Sequence, residues 1–240
     1  MELYDRIVEE SLALLEGLPG RRLEPPAPGA VWPDAGEQNL ILRGEMAYEL
    51  GGGALGAVGG LALTSSAELV PRDELWLHGQ DLGEIAEDRA YARLTFLRVA
   101  EGGLGEGDAA YAAIRRIENT RYHVRPKGYM ARVSAAAERE PVRVGRAALA
   151  EGLDFAKVGG LFLEGYRRNP AVLAAKLVFV TLPDFPYGEL ARLARRAEAI
   201  TESLNLILKN LKMDCASCGL KPVCDEVEGL RDLYFSRAAG

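Results

Sequence analysis

Residues 176–182 read Lys-Leu-Val-Phe-Val-Thr-Leu, and Pro183 and Pro186 close the run. An apolar stretch of strand length without polar alternation describes a strand buried on both faces. Such a strand needs neighbours in a sheet and helices above and below it. Shorter candidate strands at 39–42, 46–50, 60–64, 74–78 and 92–99 supply the neighbours, punctuated by Gly51-Gly52-Gly53 and Gly59-Gly60. Helical periodicity is expected over 3–18, about 107–121, 143–168 (broken at Asn169-Pro170) and 187–212. The predicted class is therefore α+β, a mixed or antiparallel sheet packed with helices, with a long C-terminal helix leading into a cysteine cluster. The predicted organisation is a helical arm at 1–20, a proline-rich linker at 21–38, an α+β domain at 39–212 and a metal-binding tail at 213–240.

Charge and composition narrow the function classes. A chain of 240 residues with a net charge of −6 is an unpromising nucleic-acid binder. No apolar run reaches the roughly 18 residues that a membrane span needs. The opening Met1-Glu2-Leu3-Tyr4-Asp5-Arg6 is charged and amphipathic, unlike a signal peptide, so a cytoplasmic location is expected.

All three cysteines, Cys215, Cys218 and Cys224, fall within ten residues. An odd, clustered set cannot build a disulfide framework, and in a reducing compartment it points to metal or redox chemistry. The C-x2-C pair turns two thiolates toward one centre, and Cys224 closes a third side. Gly219 permits the turn, while Lys212 and Lys221 favour thiolates. A 4Fe–4S cluster fits if Asp225, another chain or an exogenous ligand supplies the fourth position. Zinc, redox use and buried free thiols are the competing readings, since His78 and His123 lie far off in sequence.

Between residues 111 and 146 nine basic side chains meet only Glu118, Glu138 and Glu140. A solvated helix face is the bland reading. The alternative is one anionic partner, held by Arg115, Arg116, Arg121, Arg125 and Arg132 with Tyr122, His123 and Tyr129 interleaved. A nucleotide-type cofactor such as coenzyme A, or an acidic electron carrier, has the matching chemistry. Gly51-Gly52-Gly53, Gly56, Gly59 and Gly60 fit neither a Walker loop nor a dinucleotide fingerprint and read as a hairpin region. His78 ends a predicted strand, where a lone histidine is usually structural, and no catalytic triad is visible.

Several stretches resemble, in order, the middle domain of the acetyl-CoA synthase subunit of the carbon monoxide dehydrogenase/acetyl-CoA synthase complex. They are Leu42-Arg43-Gly44-Glu45-Met46-Ala47-Tyr48-Glu49-Leu50-Gly51-Gly52, then His78-Gly79-Gln80-Asp81-Leu82, Ile114-Arg115-Arg116-Ile117, Gly152-Leu153-Asp154-Phe155 and the apolar strand before a long helix. The helix leads to a cluster opening C-x2-C, as in that family. The resemblance covers roughly residues 40–235. It implies an arginine-rich domain contacting coenzyme A or an electron-transfer partner, followed by the start of a nickel–iron–sulfur site.

The family's fourth cluster cysteine and its Cys-Gly-Cys have no counterpart within the 240 residues, and Lys127-Gly128-Tyr129-Met130 departs from its pattern. The expectation is a standalone iron–sulfur protein, an electron-transfer, assembly or accessory factor in anaerobic one-carbon metabolism, not catalytic alone. A divergent acetyl-CoA synthase component completing a nickel site with another chain, and a zinc-stapled interaction module, are the alternatives. Expected partners are an acidic electron carrier or a component of that complex, with a homo-oligomer also compatible.

Overall fold

The computed structural model describes residues 2–26, 32–105, 107–132 and 134–208. Two sheets organise them. The larger has five strands in the order β1 (Arg21–Leu23), β4 (Glu74–His78), β8 (Val172–Val180), β5 (Tyr91–Val99), β3 (Ala57–Thr64). β8 pairs parallel with β4 and antiparallel with β5, and β5 pairs parallel with β3, so the sheet is mixed. The smaller sheet is antiparallel, with β2 (Met46–Leu50), β7 (Val142–Gly145) and β6 (Tyr129–Ala131) in that order. The α+β class and the mixed sheet follow.

The central position of β8 explains its apolar run. Alternate side chains along a strand point to opposite faces. Ala175, Leu177 and Phe179 join one core cluster, which takes in α4 (Phe155–Arg167), α2 (Gly107–His123) and the small sheet. Ala174, Val178 and Val180 join the other, with α1 (Glu2–Ala13) and α5 (Tyr187–Leu208). β5 divides the same way, Leu97 and Val99 to the first face, Leu94 and Phe96 to the second.

Several expectations change at this level. Residues 2–13, read as part of an arm, bury Tyr4, Ile7 and Val8 in the second core, and Tyr4 Oη lies 2.8 Å from Thr201 Oγ1 on α5. Within the segment read as a linker, Arg21–Leu23 pairs with β4 as an edge strand. Residues 39–42 form a loop instead of a strand, because the Asn39 amide donates to the Pro126 and Tyr129 carbonyls at 2.9 and 2.8 Å. The stretch 143–168 is not one helix. It starts as β7, makes a short α3 (Arg146–Ala150), and breaks where Gly152 takes a φ of 87°. Asp154 then caps α4 by accepting from Lys157 N at 2.7 Å. α5 is described to Leu208, and 209–212 lie outside the described residues.

The exposed edge of β3 is covered by residues 138–140. Gly59 N donates to the Glu138 carbonyl at 2.8 Å, and Arg195 pairs with the Glu138 carboxylate at 2.7 Å. Arg139 donates to the carbonyls of Gly51, Gly53 and Leu55, closing the glycine-rich β2–β3 connection.

Candidate functional site

Cys215, Cys218 and Cys224, with Lys212, Lys221 and Asp225, lie outside the described residues. Among the described residues no group of three or more His, Cys, Asp or Glu side chains is placed to hold a metal ion. No helix among them is long and apolar enough to cross a membrane.

The arginines of the basic stretch do not converge on one point. Arg115, on α2, pairs with Glu118 at 2.8 Å and with Glu202 at 3.6 Å. Arg116 Nε donates back to the Ala112 carbonyl at 3.4 Å. Arg121 donates to Tyr122 Oη at 2.6 Å and lies 4.7 Å from that ring's centre. Arg125 donates to the Tyr122 carbonyl at 3.0 Å. Arg132 sits apart, beside the small sheet, paired with Glu49 at 2.5 Å. Arg143 and Arg146 likewise donate to the backbone carbonyls of Ile41 and Met46. Arg115 and Arg121 do share a pocket of about 30 Å³, room for about one water, with Glu118, Glu138 and Glu198. Burial raises the Glu198 carboxyl pKa above the ordinary range, with Arg121 opposing and Glu138 and Glu118 adding to the rise. The lining thus sets three carboxyl groups against two guanidinium groups.

The stretch His78-Gly79-Gln80-Asp81-Leu82 is a structural junction. Asp81 Oδ1 accepts from Leu82 N at 2.7 Å and from Phe155 N at 2.9 Å, so one carboxylate fastens the end of β4 to the start of α4. Tyr48 Oη donates to the Leu82 carbonyl, and Thr181 donates through its hydroxyl to Gln80 and through its N–H to His78. Gly79 has a φ of 112°, with Thr181 Oγ1 only 2.5 Å from where a Cβ would stand, so only glycine fits there.

Two constellations were not read from the sequence. The first is a buried ion pair: Arg93 Nε and Nη2 donate to Glu140 Oε1 and Oε2 at 2.9 and 2.6 Å, and the guanidinium lies 3.9 Å from the Phe162 ring centre. Burial works against the Arg93 charge, and Glu140 together with Tyr166, Tyr129 and Tyr91 more than offsets it. Tyr91 and Tyr129 share a hydrogen bond alongside, and burial raises both phenol pKa values. An arginine in the apolar strand at 92–99 was the available signal.

The second is a cleft of about 560 Å³ between the C-terminal half of α1 and the face of β4 and β8 that turns toward it. Trp76 and His78 stack on its floor, ring centres 6.5 Å apart and planes 24° from parallel. Lys176 Nζ lies 6.0 Å from the Trp76 ring centre and 3.8 Å from Glu74. His78 is 8% exposed, and its Nδ1 has no hydrogen-bond partner among the described residues. Burial lowers the His78 pKa, with the Pro19 carbonyl opposing and Lys176 adding to the fall.

No known family model matches the chain, and no curated protein matches it.

Proposed function

We propose that the chain carries an iron–sulfur cluster and is a relative of the acetyl-CoA synthase middle domain, acting as an electron-transfer, assembly or accessory factor in anaerobic one-carbon metabolism. The observation that carries this reading is the C-x2-C-x5-C spacing of Cys215, Cys218 and Cys224 in a chain with no other cysteine. When bound, the cluster would supply one-electron chemistry, with the three thiolates as its ligands. The helices and mixed sheet would serve as the scaffold.

In this reading coenzyme A or an acidic carrier takes second place. An anion approaching Arg115 would compete with Glu118, and one approaching Arg132 would compete with Glu49. The test is anaerobic reconstitution of the full chain with iron and sulfide. The expected result is broad absorption near about 400 nm that is lost when all three cysteines become alanine. An unchanged spectrum in the triple variant, or no such absorption in the parent, overturns the proposal. Nickel in the purified protein would instead favour the divergent synthase component, and one zinc without iron the stapled module.

A further inference from the structure

The cleft under α1 has the size, lining and unspent polar chemistry of a small-molecule site, and it is independent of the cysteines. Its volume of about 560 Å³ lies in the range of ligand pockets. Leu12, Leu15, Leu69 and Val178 form apolar walls, and the Trp76–His78 pair offers a stacking floor.

The charges around it select the ligand. Glu9 and Glu16 stand in the lining, and the one cation there among the described residues, Lys176, already faces Glu74 and the Trp76 ring. A carboxylate or phosphate would meet two acids and a cation already engaged. His78 supplies the polar contact. It is more than nine-tenths buried, it lines the cleft, and its Nδ1 lacks a partner among the described residues. A buried nitrogen without a hydrogen bond is costly, and a donor brought in by a ligand relieves that cost. Burial lowers the His78 pKa and so favours the neutral ring, which accepts through one nitrogen and donates through the other. Gly20 leaves the ring its place, since a Cβ there would stand 2.5 Å from His78 Cε1.

We propose that this cleft binds a small uncharged aromatic molecule carrying one O–H or N–H donor, its ring against Trp76 and its donor on His78. The neutral imidazole then holds its own proton on Nε2 and accepts through Nδ1.

The test uses the full chain and three probes of one shape: p-cresol, toluene and p-toluate. Trp76 fluorescence and the ¹⁵N signals of the two histidines, His78 and His123, are followed during titration. The expected order is p-cresol tightest, toluene weaker by roughly fivefold to tenfold for one buried hydrogen bond, and p-toluate weakest. The His78 Nδ1 signal shifts with p-cresol and not with toluene. His78→Phe removes the preference for p-cresol while toluene binding stays, and Ala13→Trp, which fills the cleft, removes both. Equal affinities for p-cresol and toluene overturn the proposal. So does a preference for p-toluate, an unmoved His78 signal, or no binding of any probe by the parent chain. The wild-type titration decides the matter even if a variant fails to fold.

Discussion

The two faces of the large sheet differ in what they do with charge: one buries a paired arginine and the other opens a cleft. On the α4 side a full charge pair, Arg93 with Glu140, lies in the core with Nε and Nη2 matched to the carboxylate and Phe162 over the guanidinium. Arg93 Nη1 has no hydrogen-bond partner among the described residues. Most arginines of the neighbouring basic stretch are likewise engaged, by carboxylates or by loop carbonyls. On the α1 side the sheet presents Trp76, His78 and Lys176 to an open cleft, and one buried histidine nitrogen has no partner among the described residues. Density of charge along a sequence is therefore a poor guide to where a protein has binding capacity left. Arginines that hold loops together are already engaged, while the His78 ring, bonded to the Pro19 carbonyl, keeps Nδ1 without a partner among the described residues.

Breaking the α4 side should have the largest effect. Glu140→Ala leaves Arg93 charged and buried, and we expect a loss of about 3–5 kcal/mol in chemical denaturation. Arg93→Met with Glu140→Leu should recover most of that loss, because the cost lies in the unpaired charge. A Glu140→Ala protein as stable as the parent would contradict the pairing.

Asp81→Ala comes next. It removes the acceptor for both Leu82 N and Phe155 N, and about 1–2 kcal/mol should be lost by the same measurement.

The α1 side is probed by pH. The His78 pKa is lowered in the folded state, so as pH falls below about 6.5 the unfolded chain takes up this proton first. The stability that a neutral His78 contributes is present above that value and declines as pH drops toward the folded pKa. His78→Phe should flatten this part of the stability–pH curve, and an unchanged slope would show that other groups cause it.

The smallest effect belongs to Arg132→Ala. Its pair with Glu49 is partly exposed, 43% and 14% for the two side chains, and less than about 1 kcal/mol should be lost.

The layered sheet was legible because β8 is apolar on both faces, which only a central, covered strand requires. The boundaries at 143–168 were not, since Val142 and Val144 alternate as a strand over too few residues to stand out, and the break depends on one positive φ at Gly152. The three-residue β1 has no pattern of its own and exists through its pairing with β4. Arg93 was hidden for a different reason. Its partner Glu140 lies 47 residues on, in a segment that sequence grouped with the basic stretch, and only the fold brings the two together. The Trp76–His78 floor was likewise invisible until α1 closed over it. The cysteine reading rests on spacing alone, which needs no fold to be seen.

The central claim is that this spacing holds an iron–sulfur cluster, and metal content tests it most directly. Full-length protein purified without oxygen should contain iron and acid-labile sulfide in equal amounts, up to about four of each per chain. Both should vanish when Cys215, Cys218 and Cys224 are replaced by alanine. One zinc per chain with no iron, or no metal at all, would contradict the account.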